Sequence, residues 1–356
     1  MQNCNIDISE ITNQISKIDY SLLLKTIEPI VLLYLSSRSI KSYKLYKDFK
    51  PNFILSISKT KGFIKKDYNI NKEEIFKKQF GSSILEFHQT LIENLKENNL
   101  SYFYNNINNI DILSKNFNLK NLILNPRSKA NYNPINNTIM VQEKDYLQTI
   151  FHELFHMASS FYNDEDGFIF SGFMQESKTG NSIGRGLNEG YTQLLTERYF
   201  ENTLKAYKYL KTISEKIEHI VGQDKMEGLY FKANLQILIQ ELSQYEKEEN
   251  ILRFIYNIDF LEKHLNDKHL FNFEEGIILN CLKEVNIFIL NIYKNKLEIN
   301  KDGINNIEIE KKYYEYCSSI NPNLIVGKRN YIYFKDEELK QIINNNITIL
   351  NQEKTL

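Results

Sequence analysis

Residues Phe151-His152-Glu153-Leu154-Phe155-His156 carry the pattern H-E-x-x-H. Histidines at i and i+4 lie one above the other on a helix, so both imidazoles can reach a single metal ion. The neighbouring residues test whether the stretch is helical. Leu147, Ile150, Phe151, Leu154, Phe155 and Ala158 recur at helical spacing, and at about 100° per residue they fill an arc of roughly 140°. On the same wheel His152 and His156 project about 140° and 180° from Leu147, and Glu153 about 240°. The spacing predicts a helix beginning near Asp145, with both imidazoles and the carboxylate on its polar, cleft-facing side. Histidine is scarce, six in 356 residues, so chance supplies only on the order of 0.01 such matches.

A catalytic zinc takes three protein ligands and leaves one position open for water. The other histidines, His88, His219, His264 and His269, do not follow the motif at a short spacing. A carboxylate is therefore expected, and Asp164, Glu165, Asp166, Glu176 and Glu189 are the choices downstream. Glu189 stands out, in Gly186-Leu187-Asn188-Glu189-Gly190-Tyr191-Thr192-Gln193. It falls at an expected helix start with Asn188 as cap, where the helix dipole favours a carboxylate. The interval from His156 is 189 − 156 = 33 residues, room for a strand pair and a loop before the chain returns.

Outward from this centre the texture changes. Residues 1–115 read as mostly helical, with a segment over Ser21–Leu35 interrupted by Pro29 and an N-cap at Asn71 before Lys72-Glu73-Glu74. Another helix is expected to run to about Asn98. From about Asn116, Leu122-Ile123-Leu124 is a short apolar run, Asn137–Val141 reads as a strand, and Gly167–Met174 reads as a strand or hairpin. The loop Gly180–Gly186 then leads to a helix near Asn188. Long amphipathic segments without proline fill Ala206–Asn300, Leu324–Phe334 reads as a strand pair, and a last helix follows Asp336. Strands cluster in the middle, so the class is α+β: a helical region 1–115, a core 116–205, and a mainly helical region 206–356 completing the cleft.

HELFH followed by NEGYTQ resembles the gluzincin class of zinc metallopeptidases, the thermolysin-like clan. The resemblance covers about 60 residues, Thr138 to Glu197. It implies a zincin-like core with one zinc ion per chain on His152, His156 and Glu189, and Glu153 as general base acting on water. In that clan the third-ligand glutamate often sits in N-E-x-x-S-D, matched here by Asn188, Glu189, Thr192 and Gln193. The clan's aspartate accepts a hydrogen bond from the first zinc histidine. Gln193 replaces it, and Glu197, one turn on, is an alternative partner. The resemblance also implies that Asn137–Val141 is the edge strand on which an extended peptide lies; the other reading is an ordinary strand in a small sheet. It calls for an oxyanion donor too, with Tyr191, Tyr162, Arg185 and His219 as candidates. Phe168, Phe170 and Phe173 are open to two readings, substrate subsite or core.

Composition sets the outer bounds. Charged residues are 25% and hydrophobic ones 42% of the chain, as in an ordinary globular protein. With 44 basic and 45 acidic side chains, no bulk field draws the protein to nucleic acid or anionic lipid. Three scattered cysteines, Cys4, Cys281 and Cys317, exclude a disulfide framework and suit a reducing compartment. The N-terminus lacks a cationic signal region, and no early segment has the roughly 20 apolar residues of a membrane span. These features predict a cytoplasmic location, or export by a signal-less route. The expected activity is hydrolysis of a peptide or protein substrate. The alternative is a catalytically inactive peptidase-fold module for binding or regulation, against which the retained Glu153 argues.

Overall fold

The computed structural model of the chain describes residue 40 and residues 70–96, 99–107, 109–115, 130–142, 146–165, 167–200, 207–265, 272–299, 323–324 and 334–335. The expected helix over Ser21–Leu35, the Leu122–Leu124 run, Cys4, Cys317 and the last helix lie outside these residues. Within them the architecture is mostly helical with small sheets, an α+β arrangement.

From residue 70 on, the described residues form helices α1 (Lys72–Phe76), α2 (Gly81–Asn94) and α3 (Ser101–Ile107). Asn71 caps α1 as its position suggested, its side-chain oxygen accepting from Glu74 N–H at 3.3 Å. Helix α2 turns Ile84, Phe87 and Leu91 inward, all fully buried. Strand β1 (Asp111–Lys115) then falls at the end of the region read as helical. With β2 (Ala130–Asn133) and β3 (Thr138–Gln142) it forms a sheet ordered β1-β3-β2. Strand β3 runs parallel to β1 and antiparallel to β2, Tyr132 lying opposite Ile139. This corrects the expectation that Asn137–Val141 is an edge. Ile139 and Val141 are buried in the core, and β2 takes the outer position beside the H-E-x-x-H helix.

That helix is α4 (Tyr146–Ala158). It packs against β2, β3, α2, α3 and the later helix α5 (Arg185–Tyr199). Ile150, Leu154, Phe155 and Ala158 are buried as the wheel requires, but Leu147, at the start of the stripe, is 66% exposed. One turn in from its terminus the helix enters the core. Asn106 Nδ2 ties the end of the helix to the strand that follows, donating to Met157 O (2.8 Å) and Ser160 O (2.9 Å).

A four-stranded antiparallel meander follows, β4 (Ser160–Asn163), β5 (Phe168–Ser171), β6 (Met174–Glu176) and β7 (Ser182–Ile183). The expected hairpin is the β5–β6 pair. Phe170 and Phe173 are buried, which places both in the core, while Phe168 is half-buried and stacks on Phe170. The helical layer is α5, α6 (Lys208–Val221), α7 (Gln223–Phe231), α8 (Leu235–Leu242), α9 (Glu248–His264) and α10 (Asn272–Ile299). Short strands β8 (Asn323–Leu324) and β9 (Phe334–Lys335) pair antiparallel near the end. Within α10, Gly276–Ile299 is long and apolar enough to cross a membrane by length and composition; 61% of its most apolar window is buried within the protein.

Among the described residues, one large hydrophobic cluster runs from Ile75 to Leu297. Phe155 sits at its crossing point, edge-on to Phe87 at 4.9 Å and tilted against Phe231 at 6.2 Å. The face of α4 opposite the site is thereby locked in place.

Candidate metal centre

Among the described residues, His152, His156 and Glu189 form the group of side chains able to hold a metal ion. His152 and His156 face each other Nε2 to Nε2 at 3.1 Å. Oε2 of Glu189 stands 3.3 Å from the first ring and 3.6 Å from the second. A tetrahedral zinc with ligands at 2.0–2.1 Å separates them by about 3.3–3.4 Å. The three observed edges bracket that value, so the donor set fits a zinc ion by both chemistry and spacing. The site is sheltered: His152 and His156 are 7% and 8% exposed. The polar face that the wheel assigned to a cleft is thus largely covered, by β2 and α5 packed across it.

The N-terminal half of α5 delivers the third donor. The helix begins at Arg185, with Gly184 in the cap position. Asn188 is therefore inside the first turns and is no cap, a correction to the sequence reading. Its amide works sideways instead. Oδ1 accepts from Phe173 N–H at 3.2 Å, and Nδ2 lies 3.3 Å from His156 Nδ1. The ring tautomer decides the direction of that second contact. An imidazole that gives Nε2 to a metal carries its proton on Nδ1, which then calls for an acceptor.

Electrostatics separates the two carboxylates. Burial pushes Glu153 up to about 7, with Glu189 adding to the rise, against the pull of His152 and of the Tyr132 backbone N–H. Burial also acts to raise Glu189, but the charges and hydrogen bonds of His156 and His152 overcome it and hold Glu189 well below the usual range. One carboxyl is thus a ready anionic ligand and its neighbour is tuned to exchange a proton.

The remaining predicted residues fall in different places. Gln193 and Glu197 lie together, Gln193 Nε2 donating to Glu197 Oε1 at 2.9 Å, and Glu197 pairs with Lys211. Tyr191 is fully buried and its hydroxyl donates to Glu218 at 2.6 Å, so it faces away from the metal group. His219 meets the Tyr293 hydroxyl on α10. Neither is placed as an oxyanion donor. Tyr162 sits on β4 opposite Ile169, in the meander. Arg185 remains near, its Nε 3.5 Å from Glu262 and its charge felt by Glu189 and Tyr207.

Tyr207 escaped the sequence reading. Its ring stacks on His152 at 5.9 Å. The Glu189 carboxylate, burial, Glu262 and Glu153 all hold its hydroxyl proton in place, opposed by Arg185. It lies 207 − 156 = 51 residues after His156 among 23 tyrosines, and no local pattern marks it. Asp259 and Glu262 of α9 escaped for a similar reason. Acids three apart on an amphipathic helix read as a solvated face, yet Asp259 is buried and both approach the start of α5.

Compared with protein-family models, with curated proteins and with solved structures, the chain matches none.

Proposed function

We propose that the protein is a zinc-dependent peptidase with a zincin-like core of the gluzincin type. The observation that carries this reading is the convergence of His152, His156 and Glu189 with Glu153 buried beside them. A zinc ion on those three donors supplies Lewis acidity, acidifying water and polarising a carbonyl. The chain's own residues do the rest. Glu153 takes the proton of the attacking water and passes it to the leaving amine. Tyr207 presents a protonated hydroxyl beside His152 and donates to the oxyanion that develops there. Strand β2, outermost of the described strands in its sheet and packed against α4, is where an extended peptide or protein substrate would lie. The near-zero net charge supports no role in binding nucleic acid.

The test is metal content by plasma mass spectrometry, with cleavage of a peptide library, on wild type, His156→Ala and Glu153→Gln. The expected result is about one zinc per wild-type chain and almost none in His156→Ala. Glu153→Gln should keep zinc and lose hydrolysis. Cleavage by Glu153→Gln at the wild-type rate would sink the mechanism. Zinc-loaded wild type that cleaves nothing would favour the inactive binding module.

A further inference from the structure

Helix α5 starts without a cap of its own. Gly184, in the cap position, has φ 80°, the left-handed region that glycine occupies at no steric cost. A Cβ there would stand 2.0 Å from Phe173 O, so no capping side chain fits. Two N–H groups at this helix start find their acceptor on another helix. Asp259 of α9 accepts from Gly184 N–H through Oδ2 at 2.7 Å and from Gly186 N–H through Oδ1 at 2.8 Å. One turn further along α9, Glu262 reaches Arg185 Nε at 3.5 Å. Three consecutive residues, 184 to 186, are thus gripped from α9. The backbones also touch: a Cβ on Gly186 would meet Ile258 O at 2.6 Å.

We propose that Asp259 is a positioning residue for the metal centre, its carboxylate replacing the missing cap and so fixing where α5 carries Glu189. This rests on the metal-site reading above. Glu189 is three residues beyond Gly186, a rise of about 4.5 Å along the helix. Slippage of the first turn therefore reaches the ligand almost undiminished, and a metal site tolerates only about 0.5 Å of misplacement. The other end of the helix is held too, but far from the ligand. There Arg198 binds Glu218 and Glu227, nine residues beyond Glu189, and secures α5 to α6 and α7.

The two ends of α5 provide the experiment. Zinc affinity by chelator competition, the ligand-field spectrum of the cobalt-substituted protein, and Tm are measured for wild type, Asp259→Asn and Arg198→Gln. Asp259→Asn is expected to weaken zinc binding by at least about tenfold and to shift the cobalt bands. Arg198→Gln should lower Tm by as much or more while zinc affinity stays near the wild-type value. Wild-type affinity and spectrum in folded Asp259→Asn overturn the inference, as does equal weakening in Arg198→Gln, which would make the loss one of general stability. Should Asp259→Asn fail to fold, Asp259→Glu keeps the charge and moves the carboxylate out by one methylene. Weaker zinc binding supports the assignment, and unchanged binding overturns it. Wild type that takes up no metal overturns the metal-site reading and this inference together, whereas zinc-binding wild type with an unaffected variant overturns this inference alone.

Discussion

Tyr207 reaches the metal group from well outside the H-E-x-x-H motif. Its ring lies against His152 while three carboxylates, Glu189, Glu262 and Glu153, act on its hydroxyl. Each anion makes loss of the phenolic proton harder, so the group stays a hydrogen-bond donor across the working pH range. Removing only that hydroxyl, in Tyr207→Phe, should leave zinc content unchanged and lower kcat by about 10²–10³-fold with little effect on KM. Steady-state kinetics on a cleaved library peptide check this. Unchanged kcat would remove Tyr207 from the mechanism.

Among the elements, α5 is held at both ends and closely approached between them. It carries Asn188 and Glu189 inward at one end and Arg198 to α6 and α7 at the other. Between them Gly190 lets α6 approach: a Cβ there would sit 2.4 Å from Leu210 O and 2.5 Å from Ser214 Oγ. The obstacle is backbone, which cannot swing aside like a flexible side chain. Gly190→Ala should therefore destabilise the fold by about 1–3 kcal/mol despite alanine's better helix propensity. Differential scanning calorimetry should show a Tm lower by several degrees. A higher Tm would mean that α6 shifts at no cost. Local sequence announced α4, the Asn71 cap and the β5–β6 hairpin, because each is specified by residues within one or two turns of chain. It did not announce that β3 lies between β1 and β2, since strand order depends on pairing with residues 111–115, far back in the chain.

Taken whole, the molecule buries several charges it must then satisfy. Burial raises Asp259 from an ordinary 3.8 to about 7, with Glu262 adding to the rise and the two glycine N–H groups and Lys263 opposing it. The folded chain then holds this proton where the unfolded chain has lost it. Between about pH 4 and pH 7 the native state binds more protons at this group, so its contribution to stability falls as pH rises through that window. The effect is of the order of a few kcal/mol. Urea unfolding of the zinc-free protein at about pH 5 and about pH 8 should show wild type losing more stability than Asp259→Asn between the two. Equal losses would mean that Asp259 titrates normally in the folded chain.

Spacing alone was sufficient for the metal-competent pair on α4, whereas Glu189 was nominated by an expected helix start, which the structure moves back to Arg185, and by the NEGYTQ resemblance. A helix turns by a constant angle, and 33 residues allow a return. The α+β class was equally legible, because strand-forming and helix-forming patterns are local. The surroundings of the site were not. Leu147 fits the apolar stripe yet is exposed, Asn188 looks like a cap yet turns to His156, and Tyr191 adjoins the site in sequence yet points to Glu218. Tyr207 and Asp259, distant in sequence, stand beside His152 and the start of α5. Which side chains meet across α4, α5 and α9 follows from how buried surfaces pack in three dimensions, and no periodicity along the chain encodes that contact.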